Sequence, residues 1–170
     1  MPTRTPGPPT TRYLADTNVY ITAANDAAFG QAFAVFVRQH GPLAVSSVVV
    51  SEVLFGVADV ARHTAVARAM TAGVRALTPT RVDWLSGARM IAALGGDKVT
   101  KARSFWNDTL IAAQCARLGL VLVSNNPADY RRLQPQLTFA VVPPFPSCEA
   151  LGRRLAARLA GALALHAQPE

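Results

Sequence analysis

Apolar positions along the chain follow two alternating rhythms. Short apolar runs at Tyr13–Ala15, Leu43–Val45, Val74–Leu77, Leu120–Val123 and Phe139–Val142 read as strands, while stretches near 27–39, 47–72, 80–94 and 107–118 carry a helical pattern. Strands and helices in alternation predict an α/β fold, a parallel sheet covered on both faces. The uninterrupted run "LVLV" at 120–123 fits a strand buried on both sides. "VVPPFP" at 141–146 then ends the sheet, because proline cannot donate to a ladder. This places a folded domain at 12–146, preceded by a Pro- and Thr-rich segment, 1–11, expected to be disordered. In the remaining segment, 147–170, Leu151, Leu155, Leu159 and Leu163 recur every four residues while Arg153, Arg154 and Arg158 lie off that stripe. The pattern predicts an amphipathic helix packed on its own domain or on a partner.

Composition sharpens the picture. A chain of 170 residues, 51% hydrophobic and 16% charged, is one domain with a sizeable core. Lys and Arg number 17 against 10 acids, for a net charge of +7, and 15 of the 17 are Arg. Guanidinium holds phosphate bidentately, so the balance suits a polyanion such as nucleic acid. The plainer explanation is a general bias toward Ala, Arg and Gly. Two cysteines, Cys115 and Cys148, form neither a disulfide framework nor a metal-site spacing, and Cys115 lies in an apolar helical stretch that reads as core. The opening "MPTRTPGPPTTR" lacks the apolar stretch of a signal peptide, and no apolar run approaches the ~20 residues that span a bilayer. A soluble, cytoplasmic protein with no membrane partner is expected.

With so few acids, each can be weighed. In open α/β sheets ligands bind beyond the carboxyl ends of the strands, where strand order reverses. Asp16 directly follows the first strand, and Asp129 lies in the loop beyond "LVLVSNN". Glu52 is the only charged side chain between His40 and Asp59, about one turn into a helix that Ser46 or Ser47 can cap. Among valines and Leu54, it must be paired, cation-bound or protonated; Arg12 is a candidate structural partner. Asp108 reads as opening the helix "NDTLIAAQCARLG", with Asn107 as a possible cap, and Asp16 can likewise be an N-cap. An acid in a first helical turn is favoured by the macrodipole, by ~0.3–1 kcal/mol, so neither residue argues for chemistry alone. As a set they do. Carboxylates gathered in one crevice repel one another unless a cation intervenes. Three scattered histidines, at 40, 63 and 166, show no zinc-like spacing. The metal chemistry available is Mg²⁺ or Mn²⁺ on oxygen ligands, and its natural substrate is a phosphodiester.

"LADTNVYI", "SSVVVSEVLFGV" and "NDTLIAAQCARLGLVLVSNNPADY", in that order, resemble a PIN-domain ribonuclease of the VapC toxin type over about residues 12–146. The resemblance implies a three-layer α/β/α sandwich around a five-stranded parallel sheet of order 3-2-1-4-5. It implies Mg²⁺- or Mn²⁺-dependent RNA hydrolysis, a homodimer and a cognate antitoxin. By position, Asp16, Glu52 and Asp108 correspond to the first three metal-ligating acids. At the fourth stands Asn126, two residues after Ser124, where many members carry an acid. Asp129, before Tyr130, can serve instead. Asn18 and Ser124 are expected to orient Asp16 or a metal-bound water.

On this reading metal-activated water attacks the phosphodiester, and RNA approaches over Lys101, Arg103, Arg131 and Arg132, in single-stranded or looped form. The antitoxin would fill the crevice and cover an apolar groove between helices near 47–72, with "HTAVARAM" at 63–70 contributing. Two rivals remain: a catalytically inactive RNA-binding module of the same fold, disabled at Asn126, and an unrelated Mg²⁺-dependent phosphohydrolase. The latter wants a second Asp two residues after its nucleophile, where "DTN" offers Asn18.

Overall fold

The computed structural model describes residues 13–41, 43–96 and 103–144, apart from the side chains of 103 and 104. The segments expected to be disordered (1–11) and helical (147–170) lie outside the described residues, as do Arg12, Lys101 and Cys148. Five short parallel strands are present among them: β1 (Tyr13–Ala15), β2 (Val45–Ser46), β3 (Ala76–Leu77), β4 (Val121–Val123) and β5 (Ala140–Val142). Their ladders form two pieces, β1-β4-β5 and β2-β3, joined by one parallel bridge between Leu14 and Ala44. Read across that bridge the order is 3-2-1-4-5. The continuous ladder expected between β1 and β2 is thus reduced to a single point of contact.

Strand alternation divides the core between the two faces. Leu14 and Leu122, paired in register, share a buried cluster with Val49, Met90, Ile111 and Cys115; Ala15 and Val123, the next pair, share another with Val19 and Phe29. Successive side chains on a strand point to opposite faces, so the helices carrying these partners must lie on opposite sides of the sheet. One layer is α1 (Thr17–Asn25) and α2 (Ala27–His40); the other is α3 (Ser47–Phe55), α5 (Arg81–Ala93) and α6 (Arg103–Leu118). Cys115, as expected, is fully buried.

The helical boundaries depart from expectation in three places. α1 is absent from the expected helical stretches, although Asp16 reads as a possible N-cap: its β-branched Val19, Ile21 and Thr22 favour strand locally, and the helix forms because Asp16 does cap it and Val19 reaches the core. The long helix expected at 47–72 is broken. Gly56 terminates α3, Asp59 caps a 3₁₀ turn at Val60–Arg62, and α4 (His63–Thr71) starts afresh. Finally, α6 begins at Arg103 rather than at Asn107. It ends at Gly119, whose φ of 63° is open to glycine at little cost, with the Leu120 N–H returning to the Cys115 carbonyl. A short helix, α7 (Pro127–Arg131), follows β4.

α5 and α6 pack closely. A Cβ at Gly87 would stand 3.1 Å from the Thr109 hydroxyl, so glycine lets the two backbones approach. The buried Asp83 accepts from Arg117 Nε and Nη2, both at 2.8 Å, and also closes a capping box with Thr80.

Candidate active site

β1 and β4 are neighbours where the strand order reverses, and both stop at a polar residue. The Asp16 N–H donates to Val123, and the Ser124 N–H to Val142, so Asp16 and Ser124 emerge side by side at the carboxyl ends of their strands. This is the switch point at which open α/β sheets bind ligands. A cleft of about 460 Å³ opens there, lined by Asp16, Asn18, Glu52, Asp108, Asn126 and Asp129 together with Thr17, Ile21, Phe55, Asn107 and Tyr130. Six of the seven residues singled out from the sequence therefore meet in one cavity, and the seventh, Ser124, is buried beneath it against Asp16.

Asp16 is held from three sides. One carboxylate oxygen accepts the Thr17 N–H at 2.7 Å, the helix-cap bond; the other accepts Asn18 Nδ2 at 2.7 Å and Ser124 Oγ at 2.9 Å. Asn18 in turn accepts the Asn125 N–H at 3.0 Å, tying α1 to the loop after β4. Asn18 and Ser124 thus orient Asp16 by hydrogen bonds, and Asp16 also caps α1.

Glu52 lies in the second turn of α3, behind its cap Ser46. Its partners are the Thr17 hydroxyl, which donates to Oε2, and Asn107 Nδ2, which donates to Oε1 at 2.7 Å. A residue read as a helix cap is instead a hydrogen-bond donor to the cleft, because α6 starts a turn earlier. For the same reason Asp108 is not in a first helical turn, and the macrodipole does not account for it. It accepts Tyr130 Oη at 3.1 Å from α7. On α7 itself Asn126 donates its amide to Asp129 Oδ2, and the Asn126 N–H donates to Ser124 Oγ at 3.1 Å.

Burial and mutual repulsion mark this set. Asp108 is pushed up to about 7, first by desolvation and then by the charge of Asp16, with Glu52 and Asp129 adding. Asp16 is raised as well, by burial above all, although Ser124 and Thr17 pull it back. Tyr130, fully buried between Asp16 and Asp108, is raised well above its ordinary value by burial and their charges. No Lys, Arg or His is among the described residues lining the cleft. Four acids drawn toward one cavity, with no cation among the described lining residues to offset them, are of the oxygen-donor type that a hard divalent ion takes. Among the described residues no group of three acids, histidines or cysteines is already gathered as a metal-binding set. The carboxylates point instead to Thr17, Asn107, Tyr130 and Asn126.

Thr17, Asn107 and Tyr130 were not foreseen as site residues. Asn107 and Tyr130 carried a faint signal, a polar or hydroxyl-bearing side chain next to each suspected acid. Of the cations expected to meet RNA, Arg131 and Arg132 are exposed just beyond Tyr130, and Arg132 stands 5.7 Å over the Phe105 ring. Lys101 and the Arg103 side chain lie outside the described residues.

Comparison with known proteins gives a consistent result. The profile of the PIN domain matches residues 13–134. No curated protein matches significantly. Among solved structures, VapBC-1 from nontypeable Haemophilus influenzae is 21% identical, with a TM-score of 0.63 over 79% of this chain and 98% of that one. The DNA-bound VapBC of Salmonella typhimurium is 20% identical, with a TM-score of 0.59 over 79% of this chain and 99% of that one. VapBC2 from Rickettsia felis, bound to a fragment of its promoter DNA, is 18% identical, with a TM-score of 0.58 over 78% and 99%. At these identities the likeness is one of fold.

Proposed function

The chain belongs to the PIN-domain family, and on that footing we propose that it is a metal-dependent endoribonuclease, the toxin of a toxin–antitoxin pair. The observation that carries the reading is the cleft at the switch point, where Asp16, Glu52, Asp108 and Asp129 face one cavity with no lining cation among the described residues. Mg²⁺ or Mn²⁺ bound by these four would supply a Lewis acid for the phosphate and a hydroxide at neutral pH. The protein's own work is positioning. Asn18 and Ser124 fix the rotamer of Asp16, Thr17 and Asn107 hold Glu52 from both oxygens, and Tyr130 anchors Asp108. Asn126 contributes a neutral amide and steers Asp129. RNA is drawn toward this acidic cleft by the net charge of +7, with Arg131 and Arg132 close to α7.

The solved neighbours are toxin–antitoxin complexes, which supports a small antitoxin as partner. An apolar groove of about 370 Å³ runs between α1, α2 and α4, lined by Tyr20, Phe33, Val37, Val66, Ala69 and Met70 among others. No residue of α4 is buried, although Met70 packs against the core from its edge, and the groove beside "HTAVARAM" is where an antitoxin helix would lie. A homodimer is part of the same proposal, as is action in the cytoplasm; no helix among the described residues is long and apolar enough to cross a membrane.

A second reading, an inactive RNA-binding module, is favoured by one observation: the amide of Asn126 engages Asp129. Purified protein free of partner, incubated with structured RNAs in Mg²⁺, Mn²⁺ or EDTA, separates the two. Metal-dependent cleavage that disappears in Asp16→Asn is expected, with Asn126→Asp at least as active as wild type. RNA that is bound but never cut under any cation would overturn the nuclease and establish the module.

A further inference from the structure

The cleft has an apolar side. Phe55, the last residue of α3, is 63% exposed and Ile21 on α1 is 46% exposed, and both line the cavity that holds the carboxylates. Single exposed apolar residues are ordinary, but two on the wall of a polar cleft are not scattered. Their placement follows from helix geometry. Phe55 is three residues beyond Glu52 and Ile21 four beyond Thr17, so each stands about one turn, roughly 5 Å, along its helix from the Thr17–Glu52 hydrogen bond.

A phosphate gains nothing from such a wall, which offers neither donor nor charge. A nucleobase does, because every base has a π-face that stacks on an aromatic ring whatever its sequence. At about 460 Å³ the cleft falls within the ~300–1,000 Å³ range that accepts a group of this size.

We propose that Phe55, with Ile21 beside it, stacks the unpaired base that flanks the phosphate being cleaved. This rests on the ribonuclease reading above and deepens it. Phe55 selects for a base free to leave its neighbours, so single-stranded or looped RNA binds and a continuous duplex, whose bases are covered on both faces, does not.

The test uses the full chain with Ca²⁺ and short single-stranded RNAs carrying 2-aminopurine at successive positions. Wild type should quench the fluorophore at one position. Phe55→Leu, which keeps apolar bulk and loses the ring, should abolish the quench and weaken binding about tenfold, whereas Phe55→Trp should retain both. Equal quenching and affinity in Phe55→Leu and wild type, or no quench at any position, would overturn the assignment. So would a Phe55→Leu protein that sediments as a smaller species with RNA affinity unchanged, since the wall would then belong to an interface between copies. Mg²⁺-dependent cleavage is scored in the same preparations. Quenching without cleavage that depends on Asp16 counts against the nuclease alone; cleavage with Phe55→Leu as active as wild type counts against stacking alone.

Discussion

Asp108 shows how strongly one position can be set by its surroundings. Local sequence makes it an ordinary acid near a helix start; the fold carries the helix back to Arg103 and encloses the side chain with Asp16, Glu52 and Asp129 nearby. Raised to about 7, its carboxyl favours the folded state only when protonated. Its sign is therefore the reverse of a salt-bridged acid. The penalty is absent below the ordinary carboxylate range, grows as pH rises toward 7 and is complete above it. In EDTA, Asp108→Asn should raise the melting temperature by about 3 °C or more at pH 8 and by clearly less at pH 5. Equal gains at both values would show that its charge is not strained in the fold. Glu52 teaches a related lesson. Its isolation among valines marked it as needing a partner, yet those partners, Thr17 and Asn107, lie 35 and 55 residues away and carry no pattern that announces the contact.

At the scale of elements, the site depends on α6 being held in place, since that helix carries both Asn107 and Asp108. The Asp83–Arg117 pair, made by two bonds of 2.8 Å, locks α5 to α6 where Gly87 lets the backbones approach. Burial alone would raise the Asp83 carboxyl, but the Arg117 guanidinium and Thr80 hold it below its ordinary value. The stability it contributes is present above the carboxylate range and is lost as pH falls through that lowered value. Asp83→Asn should cost about 2 kcal/mol at pH 7, held to that size by the partial exposure of Arg117, and progressively less as pH falls through the lowered value, as read by urea unfolding. A cost that does not shrink with acid would assign the effect to packing rather than charge. The strands were legible within a residue or two because continuous apolar runs bounded by turn residues have few other uses. α1 was not, since its residues favour strand locally and only the cap at Asp16 and burial of Val19 make it helical. The break after Phe55 was likewise lost in an apolar rhythm that continues through "FGVADVA" although the helix does not.

For the whole molecule, the cleft couples function to stability. Acids kept together without a cation destabilise the fold, so a divalent ion should stabilise it by mass action, by about 2.7 kcal/mol at a hundred times its dissociation constant. Mg²⁺ or Mn²⁺ is expected to raise the melting temperature of wild type reversibly with EDTA and to leave Asp16→Asn little changed; identical shifts in both proteins would remove Asp16 from the proposed metal site. The sequence by itself determined that the chain alternates strand and helix, that two of its strands stop just before Asp16 and Ser124, and that Asp16 and Asp129 lie just beyond those ends. Those features are local: apolar continuity, period and turn chemistry are written in neighbouring residues. Tertiary structure alone decided which groups touch. It brought Thr17 to Glu52, Tyr130 to Asp108 and Asn126 to Asp129, reduced the link between β1 and β2 to one bridge, and set Phe55 and Ile21 on the cleft wall. Such contacts depend on how helices turn and pack over a closed core, which no short stretch of sequence records.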